Sequence, residues 1–99
     1  MAGYQSANLH LINEGGIGGG APALWTHLST DAAALAQVTG YITDGGDRGM
    51  KVNDIVIHID SDATPPLAST LVVVSVSATA PGAVDLGNAV SLGGATNTD

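Results

Sequence analysis

The sequence predicts a mostly β domain: a small antiparallel β-sandwich or barrel with one short helix and an extended Gly-rich N-terminal arm. Three observations carry this. β-branched residues dominate two runs, with Val52, Ile55, Val56, Ile57 and Ile59 in the first and Leu71 to Val74 with Val76 in the second. Turn-forming clusters, "DGGDRG", "SDATPP" and "APG", separate those runs at short intervals. One stretch alone, "TDAAALAQV", has the Ala-rich composition of a helix.

Each element follows in order. Residues 1–22 form the predicted arm: six of the ten residues from 15 to 24 are Gly or Pro, a density no regular element survives. Inside the arm, "NLHLI" suits one short strand. "ALWTHLST" (23–30) alternates weakly and reads as extended. "TDAAALAQV" (30–38) is the helix, with Ser29 or Thr30 as its cap, Asp31 in its first turn and Gly40 as its stop. After the Asp- and Gly-rich turn, "MKVNDIVIHID" is a strand whose Ile55, Ile57 and Ile59 share one face. His58 then falls on the opposite, polar face, as a solvent-facing or interface histidine. Pro65 and Pro66 break this strand, because proline cannot donate to a ladder. "STLVVVSVSAT" is the strongest strand, "APG" (80–82) a turn, and "AVDLGNAVSL" the return strand of a hairpin. The compact domain is expected over 23–93 and a polar tail over 94–99.

Composition bounds the function. Ninety-nine residues make one domain at most, and a chain of this size buries only about 60–65% of its unfolded surface. Phe and Cys are absent, and Trp25, Tyr4 and Tyr41 are the sole aromatics, so the core is small-residued and has no disulfide. Association is the expected remedy. Net charge is −7, and Arg48 and Lys51 are the two cations. Phosphate binding needs several basic side chains, so no nucleic-acid partner is expected, and no anionic membrane surface. The N-terminus lacks a basic region with an apolar run, and "LVVV" is too short to span a bilayer. Synthesis in a cytoplasm is expected.

Candidate chemistry fails residue by residue. The acidic group Asp44, Asp47, Asp54, Asp60 and Asp62 includes "DSD", but counting a calcium loop from Asp60 puts Pro65 at the sixth position and Leu71 at the twelfth, where Gly and Glu belong. These aspartates read as turn caps. "GGIGGGAPA" has no lysine for a phosphate loop and reads as a linker. His10, His27 and His58 are too widely spaced for a zinc motif, and no nucleophile motif occurs. No catalytic residue, metal ligand or cofactor is expected, and the chain reads as a non-enzyme. In "GMKVNDIVIHID", Met50 and Val52 are expected on one face, with Asp54 reaching a nearby backbone N–H.

The stretch "LWTHLSTDAAALAQVTGYITDGGDRGMKVNDIVIHIDSDA" resembles a group of small tailed-phage virion proteins. Trp25, Asp31, Gly40, Tyr41, Gly49, Met50, Val52, Asp54 and Asp60 match the group's pattern, and Asn53 stands where Gly is commoner. The resemblance covers residues 24–63. It implies a capsid decoration (cement) protein on the capsid exterior, binding the major capsid protein, with no catalytic residues. It also implies a homotrimer. A fibre, adaptor or tail component and a small ligand-binding β module are the alternatives. Trp25, Arg48, Met50 and Lys51 are the expected interface residues, with Arg48 suited to bridging subunits through its planar fork.

Overall fold

The computed structural model describes residue 4 and residues 6–13, 22–64 and 66–94. A single 3-10 turn at Ser6–Asn8 leads into β1 (Leu9–Asn13). There follow β2 (Leu24–Ser29), α1 (Ala33–Ala36), β3 (Ile55–Asp60), β4 (Leu67–Val76), β5 (Val84–Leu86) and β6 (Val90–Gly94). The strands form one sheet in the order β1-β2-β3-β4-β5, with β6 also on β4. The mostly β class with one short helix is what the sequence predicts.

The sheet departs from a purely antiparallel one at its centre. β2 and β3 run parallel, from Leu24 opposite Ile55 to Ser29 opposite Asp60. Parallel neighbours need a crossover of about a dozen residues or more, and residues 30–54 supply it. β1 pairs antiparallel with β2, so the "NLHLI" segment of the arm is indeed a strand. The arm's residues 1–3, 5 and 14–21, and residues 95–99 of the expected tail, lie outside the described residues.

The predicted return strand is present but broken in two. β5 runs beside Val73 to Val76 and β6 beside Leu67 to Thr70, so together they border the ten-residue β4 in antiparallel register. The Gly87 N–H still donates to Val72 O at 2.8 Å across the break.

The helix is shorter than its composition suggests, and neither expected cap is used. Ala32 occupies the cap position with no side-chain bond. The Ser29 hydroxyl instead accepts from the Asp31 N–H at 2.9 Å, which holds Asp31 outside the helix and fully buried. Four residues retain little of a helix's cooperative stability, so packing outweighs propensity here. Gly40 lies beyond the end with φ +79°, a value glycine adopts without a Cβ penalty.

The crossover closes over one face of the sheet. Leu9, Trp25, Val56, Leu71, Val73, Val84 and Leu86 point inward from the strands and meet Ala36, Ile42 and Met50 from residues 30–54. The "DGGDRG" turn is fixed by backbone contact with the "APG" turn. Gly46 N–H donates to Gly82 O and Asp47 N–H to Pro81 O, both at 2.9 Å. A Cβ on Gly82 would stand 2.6 Å from the Gly46 Cα, so only glycine permits this approach.

Candidate functional site

Two features stand out: polar groups buried on the covered inner face, and an apolar outer face. The inner groups begin with Asp54, which is fully buried at the start of β3. Its carboxylate accepts four hydrogen bonds. Ala23 N–H and Lys51 Nζ reach Oδ1 at 3.1 and 2.7 Å; Trp25 Nε1–H and Lys51 N–H reach Oδ2, both at 3.1 Å. Two of the four are bonds from a nearby backbone N–H, the kind expected of Asp54. Burial alone would raise this carboxyl, but the Lys51 ammonium and the three N–H donors hold it below its ordinary value. One side chain thus ties the entry to β2, the turn and β3 together.

A second cluster sits further along the same face. In the parallel register His27 lies beside His58, and their Nδ1 atoms are 3.1 Å apart. His58 Nε2–H donates to the Asp31 carbonyl at 2.8 Å, since a carbonyl oxygen can only accept. With both rings neutral, His58 Nδ1 is the acceptor and His27 Nδ1–H the donor. Tyr4 and Tyr41 pack on the pair, their centroids 5.4 and 5.9 Å from His27.

The tyrosine hydroxyls extend the network. Tyr41 donates to Asp31 Oδ2 at 2.8 Å, and burial together with that carboxylate pushes its hydroxyl up to about 12. Tyr4 donates to Asp44 Oδ1 at 2.5 Å, and its hydroxyl is likewise raised by burial and by Asp44. Partial burial opposes ionisation of Asp44, yet the Ser6 and Tyr4 hydroxyls keep its carboxyl below the ordinary range. Arg48 closes the network by donating to Ser6 O, Ser6 Oγ and Leu9 O. It anchors the chain's own N-terminal segment.

His58 therefore differs from its sequence expectation. It is 1% exposed, on the covered face, and Ile55, Ile57 and Ile59 occupy the other one. The reason is the parallel partner: His27 and the Asp31 carbonyl satisfy an imidazole that burial would otherwise penalise. Sequence reasoning missed this cluster because residues 27 and 58 share no motif spacing. The parallel register alone brings them together.

The four expected interface residues are distributed unevenly. Trp25 and Met50 belong to the chain's own core at 3% and 5% exposure. Val52 is exposed, so it does not share Met50's side, because a turn rather than a strand carries both. Lys51 is engaged by Asp54 and Arg48 by the N-terminal segment. The acidic group is dispersed too: Asp60 Oδ1 caps its own turn by accepting from Asp62 N–H at 3.0 Å. Among the described residues no three His, Cys, Asp or Glu are placed to hold a metal ion, and no helix is long and apolar enough to cross a membrane.

The outer face carries no such network. Three rows cross β2, β3 and β4: Leu24–Ile55–Val72, Thr26–Ile57–Thr70 and Leu28–Ile59–Ala68. Val74 and Val90 extend it. Leu28, Val72, Val74 and Val90 are 45–63% exposed. No ionisable residue lies on this face within β2, β3 or β4; His10 and Asp85 sit at its two margins. An open depression of about 290 Å³ between the two glycine turns has Asp47 as the one ionisable residue in its lining, so it lacks the convergent polar groups of a ligand site. No protein-family model, curated protein or solved structure matches the chain.

Proposed function

We propose that this chain is a non-enzymatic virion structural protein of the decoration type, bound to the outside of a capsid through the major capsid protein and assembled as a homotrimer. The outer sheet face is the observation that supports an assembly role. Monomeric proteins rarely expose a large contiguous apolar patch without using it. The polar side chains favour the same reading, since Asp54, His27 and His58 are buried in the fold and Arg48 is bonded to the chain's own N-terminal segment. The trimer and the capsid come from the resemblance of residues 24–63 to small phage virion proteins.

Co-sedimentation tests this. The purified chain is mixed with empty shells assembled from a tailed-phage major capsid protein. Saturable binding at a fixed ratio, with a raised temperature of shell disassembly, is the expected result. Shells that neither bind the chain nor gain heat resistance would sink the decoration role.

A further inference from the structure

We propose that the His27–His58 pair is an acid-sensitive latch, closed at neutral pH, that lets Tyr4 and residues 6–13 leave the sheet once both rings take a proton. The latch goes beyond the assembly reading and does not depend on it. The two Nδ1 atoms face each other 3.1 Å apart, and that gap holds one proton. His58 Nε2–H is committed to the Asp31 carbonyl. One extra proton fits: His58 then donates from Nδ1 to His27 Nδ1, and His27 carries its own proton on Nε2. A second extra proton does not fit. It sets N–H against N–H between two cations whose ring centroids are 5.2 Å apart in a buried site. Separated imidazoles have no such conflict, and each takes a proton near the ordinary histidine value of about 6.5. The open form therefore binds more protons below that value. Acid favours opening by up to about tenfold per pH unit for one proton of difference.

The groups around the pair leave this conflict in place. Tyr4 faces it from the N-terminal segment, and Tyr41 and Asp31 face it from the crossover. β1 sets Leu9 opposite His27, β4 sets Ser69 opposite His58, and α1 holds only Ala and Leu. Both tyrosine hydroxyls are raised, that of Tyr41 to about 12, so they stay neutral. A carboxylate at Asp31 favours the first proton but does nothing for two N–H groups that meet head-on. Asp44 stands one hydrogen bond behind Tyr4, Arg48 is bonded to Ser6, and Asp60 caps its own turn on β3. The N-terminal segment is the part that yields. β1 ends the described sheet and exposes four of its five residues, Leu9 being the exception. Its detachment opens the edge of β2 from Leu24 to His27. The Asp44 carboxyl is held below its ordinary value, so its bonds to Tyr4 and Ser6 titrate at lower pH than the histidine step.

The experiment is an NMR titration of the whole chain from about pH 7.5 to about 4.5, a range above that of the carboxylates. The expected result has two parts. Amide signals of Leu9–Asn13 move to unstructured positions, with the same midpoint as the ring signals of His27 and His58. Signals of Leu67–Val76 keep their folded positions. His27→Gln leaves one imidazole, which can take its proton while the amide oxygen accepts from it, so the β1 midpoint should fall by at least one pH unit. His10→Gln, on the exposed side of β1, should keep the wild-type midpoint. Wild-type β1 signals that hold to about pH 4.5 overturn the inference. So does a His27→Gln midpoint equal to that of the wild type, a midpoint moved by His10→Gln, or loss of Leu67–Val76 together with β1. Should His27→Gln be open at all pH, His58→Gln replaces it under the same criteria. Should both be open, the wild type decides: ring and β1 midpoints that differ overturn the latch, and coincident ones support it.

Discussion

Along β3, Val56 and His58 point to the covered face and are each 1% exposed, while Ile55, Ile57 and Ile59 lie on the outer face. The face with three isoleucines is the less covered one, and the face with a histidine is sealed. Burial in this domain therefore follows what lies over each face. Inside, the crossover seals polar groups that have partners: Asp54 has four donors, and His58 has His27 and the Asp31 carbonyl. Outside, apolar side chains lie over no described layer of the same chain. The inner face secures the monomer's fold, and the outer face is where assembly has something to gain.

The strongest break in this contrast is Asp54→Ala. It leaves buried N–H groups of Ala23 and Trp25 without an acceptor and should destabilise the chain by about 3–5 kcal/mol, read as a shift in the urea midpoint. A loss under about 1 kcal/mol would show that these donors find other partners. The next test sets neighbours on β4 against each other. Leu71→Ala on the inner face should cost about 2–5 kcal/mol at any protein concentration. Val72→Ala, one residue on, should cost under about 0.5 kcal/mol in a dilute monomer. Equal losses would mean the two faces are equally covered.

His58→Gln sharpens the contrast within the inner face. It should cost about 1–3 kcal/mol by disturbing the bonds to His27 and to the Asp31 carbonyl. The bonded imidazole N–H protons should be visible by NMR in the wild type and missing in the variant. A smaller effect belongs to acid. The Asp44 and Asp54 carboxyls are held below their ordinary values, so the unfolded chain takes up protons first as pH falls. Their contribution is complete above the unfolded carboxylate value of about 3.9 and drains away as pH drops through the lower folded values. Asp44→Asn should flatten the slope of stability against pH below about 4; an unchanged slope would mean Asp44 is not linked to folding. A small effect is also expected of Lys51→Ala. Its partner is buried but Lys51 itself is 41% exposed, so its loss should cost about 0–1 kcal/mol, less than that of Arg48→Ala.

The sequence by itself determined the local chemistry. β-branched runs specified β3 and β4, glycine and proline clusters specified the turns, and period-two alternation separated the two faces of each strand. Asp54 was legible as a backbone acceptor because a carboxylate beside a turn bonds the nearest N–H groups. Only the tertiary structure decided which face is covered, since alternation is symmetric and the crossover that breaks the symmetry is a long-range choice. The same choice made β2 and β3 parallel and set His27 beside His58, thirty-one residues apart in the chain. It also trimmed the helix to four residues by drawing Asp31 into the core. Propensity acts over a few neighbours at tenths of a kcal/mol each, whereas burying a layer acts over the whole sheet, so packing prevails wherever the two disagree.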